Sequence, residues 1–181
     1  VAISIAVVGG AELAALNKTQ IADLSRLVPG FTFAESTSDA GRNILIRGIG
    51  TNSFSRSVDL SVGTVVDNVA SGSLSGSVLD FSDVERVEVL RGPQGTLYGR
   101  NTIAGAISMY TARPSDEFSA RVLGEYGNLE SHKAEAYVSG PITDTLSARL
   151  AGINSARDTY MDNSIGPDGG GQDSEGYRAS L

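Results

Sequence analysis

The chain has no cysteine, no tryptophan and a single histidine, His132. Without thiols it can build neither a disulfide framework nor a thiolate metal site, and one imidazole is too few for a conventional structural zinc centre. Aromatic residues make up only 6% of the sequence while glycine is present 22 times, which favours strands and turns over a helical bundle, because glycine weakens helix interiors. No apolar run approaches the roughly 20 residues of a membrane-spanning helix. The opening VAISIAVV lacks the basic flank and cleavage region of a signal peptide, so we expect a strand in a chain whose true beginning has been removed. Positive charge is also scarce: 14 Lys and Arg against 21 Asp and Glu give a net charge of -7, which argues against a nucleic-acid-binding surface.

What is present reads as two textures. Residues 1–114 carry mixed signals of an α+β domain. A first strand ends at Gly9-Gly10, and Thr19 is placed to cap a helix bearing Ile21, Leu24, Leu27 and Val28, which Pro29-Gly30 stops. Short strands are expected at 31–34, in NILIRG with Ile44 and Ile46 on one face, and at 62–66 before Asp67-Asn68. Residues 78–81 read as one helical turn. VERVEVL follows as an alternating strand, and AGAISMYTARP as a last strand around 106–111 bounded by Pro114.

Residues 115–181 change to segments of barrel-strand length. Phe118, Ala120, Val122 and Gly124 alternate with Ser119, Arg121, Leu123 and Glu125. Ala134, Ala136 and Val138 alternate with Lys133, Glu135 and Tyr137. Leu146, Ala148, Leu150 and Gly152 alternate with Ser147, Arg149, Ala151 and Ile153. This period suits transmembrane β strands with one lipid-facing side, and equally an ordinary half-buried antiparallel sheet. GNLES and GPITD are short connections, YMDNSIGPDGGGQDSEG is long and polar, and a final strand is expected to start at Tyr177.

Catalytic chemistry finds no foothold. GPQGTLYGRN lacks the Lys-Ser/Thr end of a phosphate-binding loop, Asp67, Asp80 and Asp83 have neither catalytic-pair nor calcium-loop spacing, and no serine sits in a nucleophile elbow. We expect no catalytic residue, no metal site, no cofactor and no enzyme activity.

The run DVERVEVLRGPQGTLYGRNTIAGAISMYTARP, from Asp83 to Pro114, resembles the most distinctive motif of the plug domain of TonB-dependent outer-membrane receptors. NILIRGIG resembles the family's strand-plus-Arg-Gly element, and VGTVVDNVASG its V-x-x-Y-x-D-G-V segment, with Val65 where an aromatic is common and Asn68 where glycine is common. The opening through LVPGFTF is similar to the start of the plug. The resemblance implies an α+β plug domain over 1–114, followed over 115–181 by the N-terminal part of an antiparallel transmembrane β-barrel, truncated, with an extracellular-type loop. In the family the plug sits inside a barrel of about 22 strands.

The resemblance further implies that Arg47, Arg91 and Arg100 contact carboxylates of the barrel wall, with Gly48, Gly92, Pro93, Gly95 and Gly99 as structural turn residues. An arginine fork satisfies a carboxylate bidentately and can be released again, unlike a hydrocarbon seam. The implied function is energy-coupled uptake of a scarce solute across the outer membrane of a Gram-negative bacterium, by default a ferric siderophore. The implied partners are the TonB-ExbB-ExbD complex and outer-membrane lipid. A free-standing plug-like periplasmic binding or signalling module is the alternative, and a structural β-rich adhesin accounts for the glycine and serine but not for the motif.

Overall fold

The computed structural model describes residues 4–16, 18, 20–35, 42–51, 60–71, 83–159, 164 and 170–181. The chain divides into two compact units, Val1–Ala112 and Arg113–Leu181.

In the first unit, β1 (Ser4–Gly9), β5 (Val62–Val66), β6 (Val69–Ser71), β7 (Val84–Arg91) and β8 (Gly105–Thr111) form a mixed sheet ordered β1-β7-β8-β5-β6. Only β5 and β8 pair in parallel; the other neighbours are antiparallel. A three-stranded sheet holds β2 (Phe31–Glu35), β3 (Arg42–Ile46) and β4 (Ile49–Gly50). The helical pieces are α1 (Gly10–Ala15), a 3-10 turn (Ile21–Asp23), α2 (Leu24–Leu27) and α3 (Gly95–Tyr98).

One apolar cluster joins these elements: Val8 of β1, Leu13 of α1, Leu24 of α2, Phe31 of β2, Ile44 and Ile46 of β3, Val87 and Val89 of β7, and Ile107 and Met109 of β8. Leu24 is 0% exposed, which stabilises the unit by about 1.5–3 kcal/mol. The alternation of NILIRG is realised, with Ile44 and Ile46 buried together and Leu45 half-buried. Two hairpins turn on paired left-handed residues, Arg47-Gly48 (φ 53 and 77) and Asp67-Asn68 (φ 47 and 67), the backbone that matches strand twist in a two-residue turn. Asn68 thus does the work of the glycine usual there.

The helix start differs from expectation. Gln20 caps the 3-10 turn, and its backbone N–H donates to the Asp23 carboxylate at 3.3 Å in a reciprocal capping box. Thr19 and the expected turn at 78–81 lie outside the described residues.

In the second unit, β9 (Ser119–Tyr126), β10 (His132–Thr143), β11 (Leu146–Arg157) and β12 (Gln172–Ser180) form an antiparallel sheet in chain order. The last strand starts five residues before the expected Tyr177. Its leading residues Gln172, Asp173, Ser174 and Glu175 carry no apolar signal, and pairing with 154–157 of β11 defines them instead.

Candidate functional site

The strand VERVEVLR forms because Val87 and Val89 face the core of the first unit, and it delivers Arg91 to one end of the sheet, opposite Ser4 on one side and Gly105 on the other. Arg91 is half-buried, and its Nη1 donates to Ser4 Oγ at 3.4 Å. Its Nε is buried with no hydrogen-bond partner among the described residues, which is uncommon for a buried donor. Gly105 fits this spot because an added Cβ would collide with the Leu90 carbonyl oxygen and approach Ile46 Cδ1 to 2.7 Å.

Ile46 immediately precedes Arg47, and its Cδ1 reaches toward Gly105, the cross-strand partner of Arg91. Arg47 itself is exposed. Arg100 is exposed on the loop 92–104, which leaves and re-enters the sheet at that same end through Gly92 N to Ala104 O (3.0 Å) and Gln94 N to Thr102 O (2.9 Å). Gly92 and Gly99 take positive φ, 96 and 76, and bound the turn chemistry of this loop. Gly95 opens α3 outside the positive-φ set, and Pro93 is exposed between β7 and α3.

Two polar constellations were not singled out from sequence. Asp67, in the hairpin between β5 and β6, accepts from Thr111 N at 2.9 Å and from Thr111 Oγ1 at 2.8 Å, while its own N–H donates to Met109 O at 3.0 Å. It clasps the end of β8 across 44 residues of sequence. Arg86 donates to Glu88 and Glu85, both at 2.7 Å, and stacks 3.9 Å above the Tyr110 ring. The hydrogen bond to Glu88 is the main reason the Arg86 guanidinium is held above its ordinary value. Burial, then the hydrogen bond that the Tyr110 hydroxyl donates to Tyr98, pushes the Tyr110 phenol up. Tyr98 belongs to α3, so this pair of tyrosines ties the motif loop to the sheet. The signal available in sequence was the E-R-x-E spacing of charges on a strand.

The second unit holds a different surface. Val138 pairs with both Ala120 and Leu150, and Leu150 with Ala179; Ala136 pairs with Val122 and Gly152, and Gly152 with Tyr177. Directly paired residues share a face, so the apolar sets of the strands line one side. That side is bare: Val122 is 84% exposed, Tyr177 82% and Leu150 56%. It carries a shallow depression of about 760 Å³ bordered by Val122, Leu150 and Tyr177.

The opposite side is polar and more sheltered. Lys133 pairs with Glu135 at 3.1 Å, and Arg149, 8% exposed, lies 3.8 Å from the Tyr137 ring centroid. His132 is exposed, with Nδ1 3.2 Å from Glu130 O. Among the described residues no helix is long and apolar enough to cross a membrane, and no three His, Cys, Asp or Glu are grouped to hold a metal.

Known proteins match this architecture. The family model described as TonB-dependent Receptor Plug Domain matches residues 1–106. The pesticin receptor of Yersinia pestis is 31% identical over 99% of this chain and 26% of its own length. The vitamin B12 transporter of Vibrio vulnificus is 29% identical over 97% of this chain and 28% of its own. The crystal structure of the ferric yersiniabactin uptake receptor from Yersinia pestis superposes with a TM-score of 0.86 at 30% identity, covering 96% of this chain and 27% of that one. The chain spans about a quarter of the length of the relatives it matches. With its sheet, its arginine-glycine turns and more than half its length matched by one family model, the chain belongs to the TonB-dependent receptor plug domain family, whose members are receptors of the Gram-negative outer membrane and not enzymes.

Proposed function

We propose that the chain contributes the plug and the first wall strands of an energy-coupled outer-membrane receptor that imports a scarce solute. The observation that carries this reading is the inverted sheet of the second unit. A sheet in water hides its apolar face, whereas β10 and β11 bare Val138 and Leu150 and shelter Arg149. That disposition suits a barrel wall with lipid outside and a polar lumen inside. On this reading the plug runs to Pro114, and the strands beyond it form one arc of a closed barrel, because open edges are not tolerated in hydrocarbon.

Arg47, Arg91 and Arg100 then anchor the plug to carboxylates of the barrel wall, and Gly48, Gly92, Pro93, Gly95 and Gly99 shape the turns that present them. The half-buried position of Arg91 at the end of the sheet, with part of its side chain still accessible, supports this role. Energy comes from the TonB-ExbB-ExbD complex, and the outer face meets outer-membrane lipid. The solute is a ferric siderophore, in line with the ferric yersiniabactin receptor among the similar structures; the vitamin B12 transporter among the relatives makes cobalamin the competing cargo.

The test is fractionation of the native product with an antibody to residues 1–114, followed by uptake of radiolabelled ferric siderophore and cobalamin in cells with and without TonB. An outer-membrane species taking up one solute only when TonB is present is the expected result. A soluble periplasmic product that takes up neither overturns the transport reading in favour of a free module.

A further inference from the structure

The second unit has a register problem that its connections solve only in part. β10 and β11 are joined through Asp144-Thr145, short enough to fix their pairing, whereas β11 and β12 are separated by residues 158–171. A loop of that length does not set register, and strand alternation leaves a slip of two residues undetected because the same faces are kept. Small apolar residues such as Ala120, Ala136 and Ala179 on the apolar face discriminate poorly between such alternatives.

We propose that Tyr177, laid across Gly152, is the lock that fixes β12 against β11. The two residues are direct cross-strand partners, and a Cβ placed on Gly152 would lie 3.3 Å from Tyr177 Cδ1 and 3.6 Å from Cε1. The ring occupies the seat that the missing side chain leaves open. It is not held by burial, being 82% exposed. A two-residue slip in either direction sets Tyr177 opposite Leu150 or Asn154, both of which carry side chains where the ring must lie. A side-chain tie between these strands is Asn154 Nδ2 to Glu175 Oε1 at 3.2 Å, which is exposed and weak.

The same device recurs at the other edge of the sheet. Phe118, just before β9, lies across Gly140 of β10, with Cδ2 3.4 Å and Cβ 3.6 Å from the position a glycine Cβ would take. At each edge an aromatic residue thus lies against a glycine of an inner strand, though Phe118 meets Gly140 first through its backbone Cα at 3.3 Å; aromatic cross-strand pairs help to pin register.

The lock rests on the geometry of the sheet and not on the transport reading. It is tested in the full-length protein by register-specific disulfides, since residues 1–181 contribute no cysteine of their own. Ile153→Cys with Gly176→Cys reports the observed pairing, and Ile153→Cys with Arg178→Cys or with Ser174→Cys reports a slip by two; all four positions avoid the ring and its seat. With Tyr177 intact the first pair closes almost alone. Tyr177→Ala and Gly152→Val are each expected to lower the ratio of native to slipped disulfide several-fold, while Tyr177→Phe keeps it. A native ratio in both Tyr177→Ala and Gly152→Val overturns the proposal. Should those variants fail to fold, the folded yields of Tyr177→Phe and Tyr177→Leu decide: recovery by Phe alone supports a ring lock, and equal recovery by Leu overturns it.

Discussion

The two units of this chain treat their apolar residues in opposite ways. In the first, Val87 and Val89 of β7 are fully enclosed by helices and a second sheet, and the charges of the same strand, Arg86 and Glu88, are paired with one another at the unit's surface. In the second, Val122, Leu150 and Tyr177 stand bare while Arg149 is sheltered. Alternation along a strand is the same in both; what differs is which face meets water. The lesson is that a period of two residues identifies a strand but leaves its solvent undefined.

The sharpest way to break this contrast is to remove matched leucines. Leu24→Ala empties a site that is 0% exposed, and we expect a loss of about 3–5 kcal/mol in chemical denaturation of the first unit. Leu150→Ala, at a position 56% exposed, should leave stability in aqueous detergent almost unchanged; comparable losses at both sites would erase the distinction.

Adding a charge sharpens it further. Leu150→Arg should cost about 2–4 kcal/mol in reversible folding into lipid vesicles if that face meets hydrocarbon. A silent Leu150→Arg would mean that water, not lipid, covers the sheet.

Smaller effects distinguish polar ties within the first unit. Asp67→Ala removes the acceptor for Thr111 N and Oγ1 and should lower stability by about 0.5–1.5 kcal/mol, with faster hydrogen exchange of the Thr111 amide. Unchanged exchange there would show that the clasp does not hold β8.

The smallest effect is on Tyr110. Its phenol is raised by burial and by Tyr98, so the folded state favours the neutral ring more than the unfolded chain does. That contribution is fully present below the ordinary tyrosine value of about 10 and is lost as pH rises through the raised value. Ultraviolet titration should therefore show a late tyrosine component, and Tyr110→Phe should abolish it. A single transition in the unsubstituted protein would remove the tyrosine tie from the account.

Much of the local structure was legible in sequence. NILI, VGTVV, VERVEVLR and GAISMYT are rich in strand-forming residues and flanked by turn residues, and each lies in a strand. The apolar sets in β9, β10 and β11 were readable as sets because side chains alternate strictly. The arginine-glycine motif was legible through its many ordered positions. What escaped were the Gln20 cap, the early start of β12, the Asp67 clasp and the Arg86–Tyr110 stack. The last two depend on residues separated by 44 and 24 positions, and no local pattern records such a pairing.

The sequence by itself determined where strands and turns lie and which residues of each strand are apolar, because those follow from backbone sterics and side-chain chemistry within a few residues. Only the tertiary structure decided the order β1-β7-β8-β5-β6, the approach of Ile46 to Gly105 beside Arg91, and the exposure of the apolar face in the second unit. Those depend on which distant strands pair and what covers each face, and the free energy that settles them is shared among residues far apart in the chain.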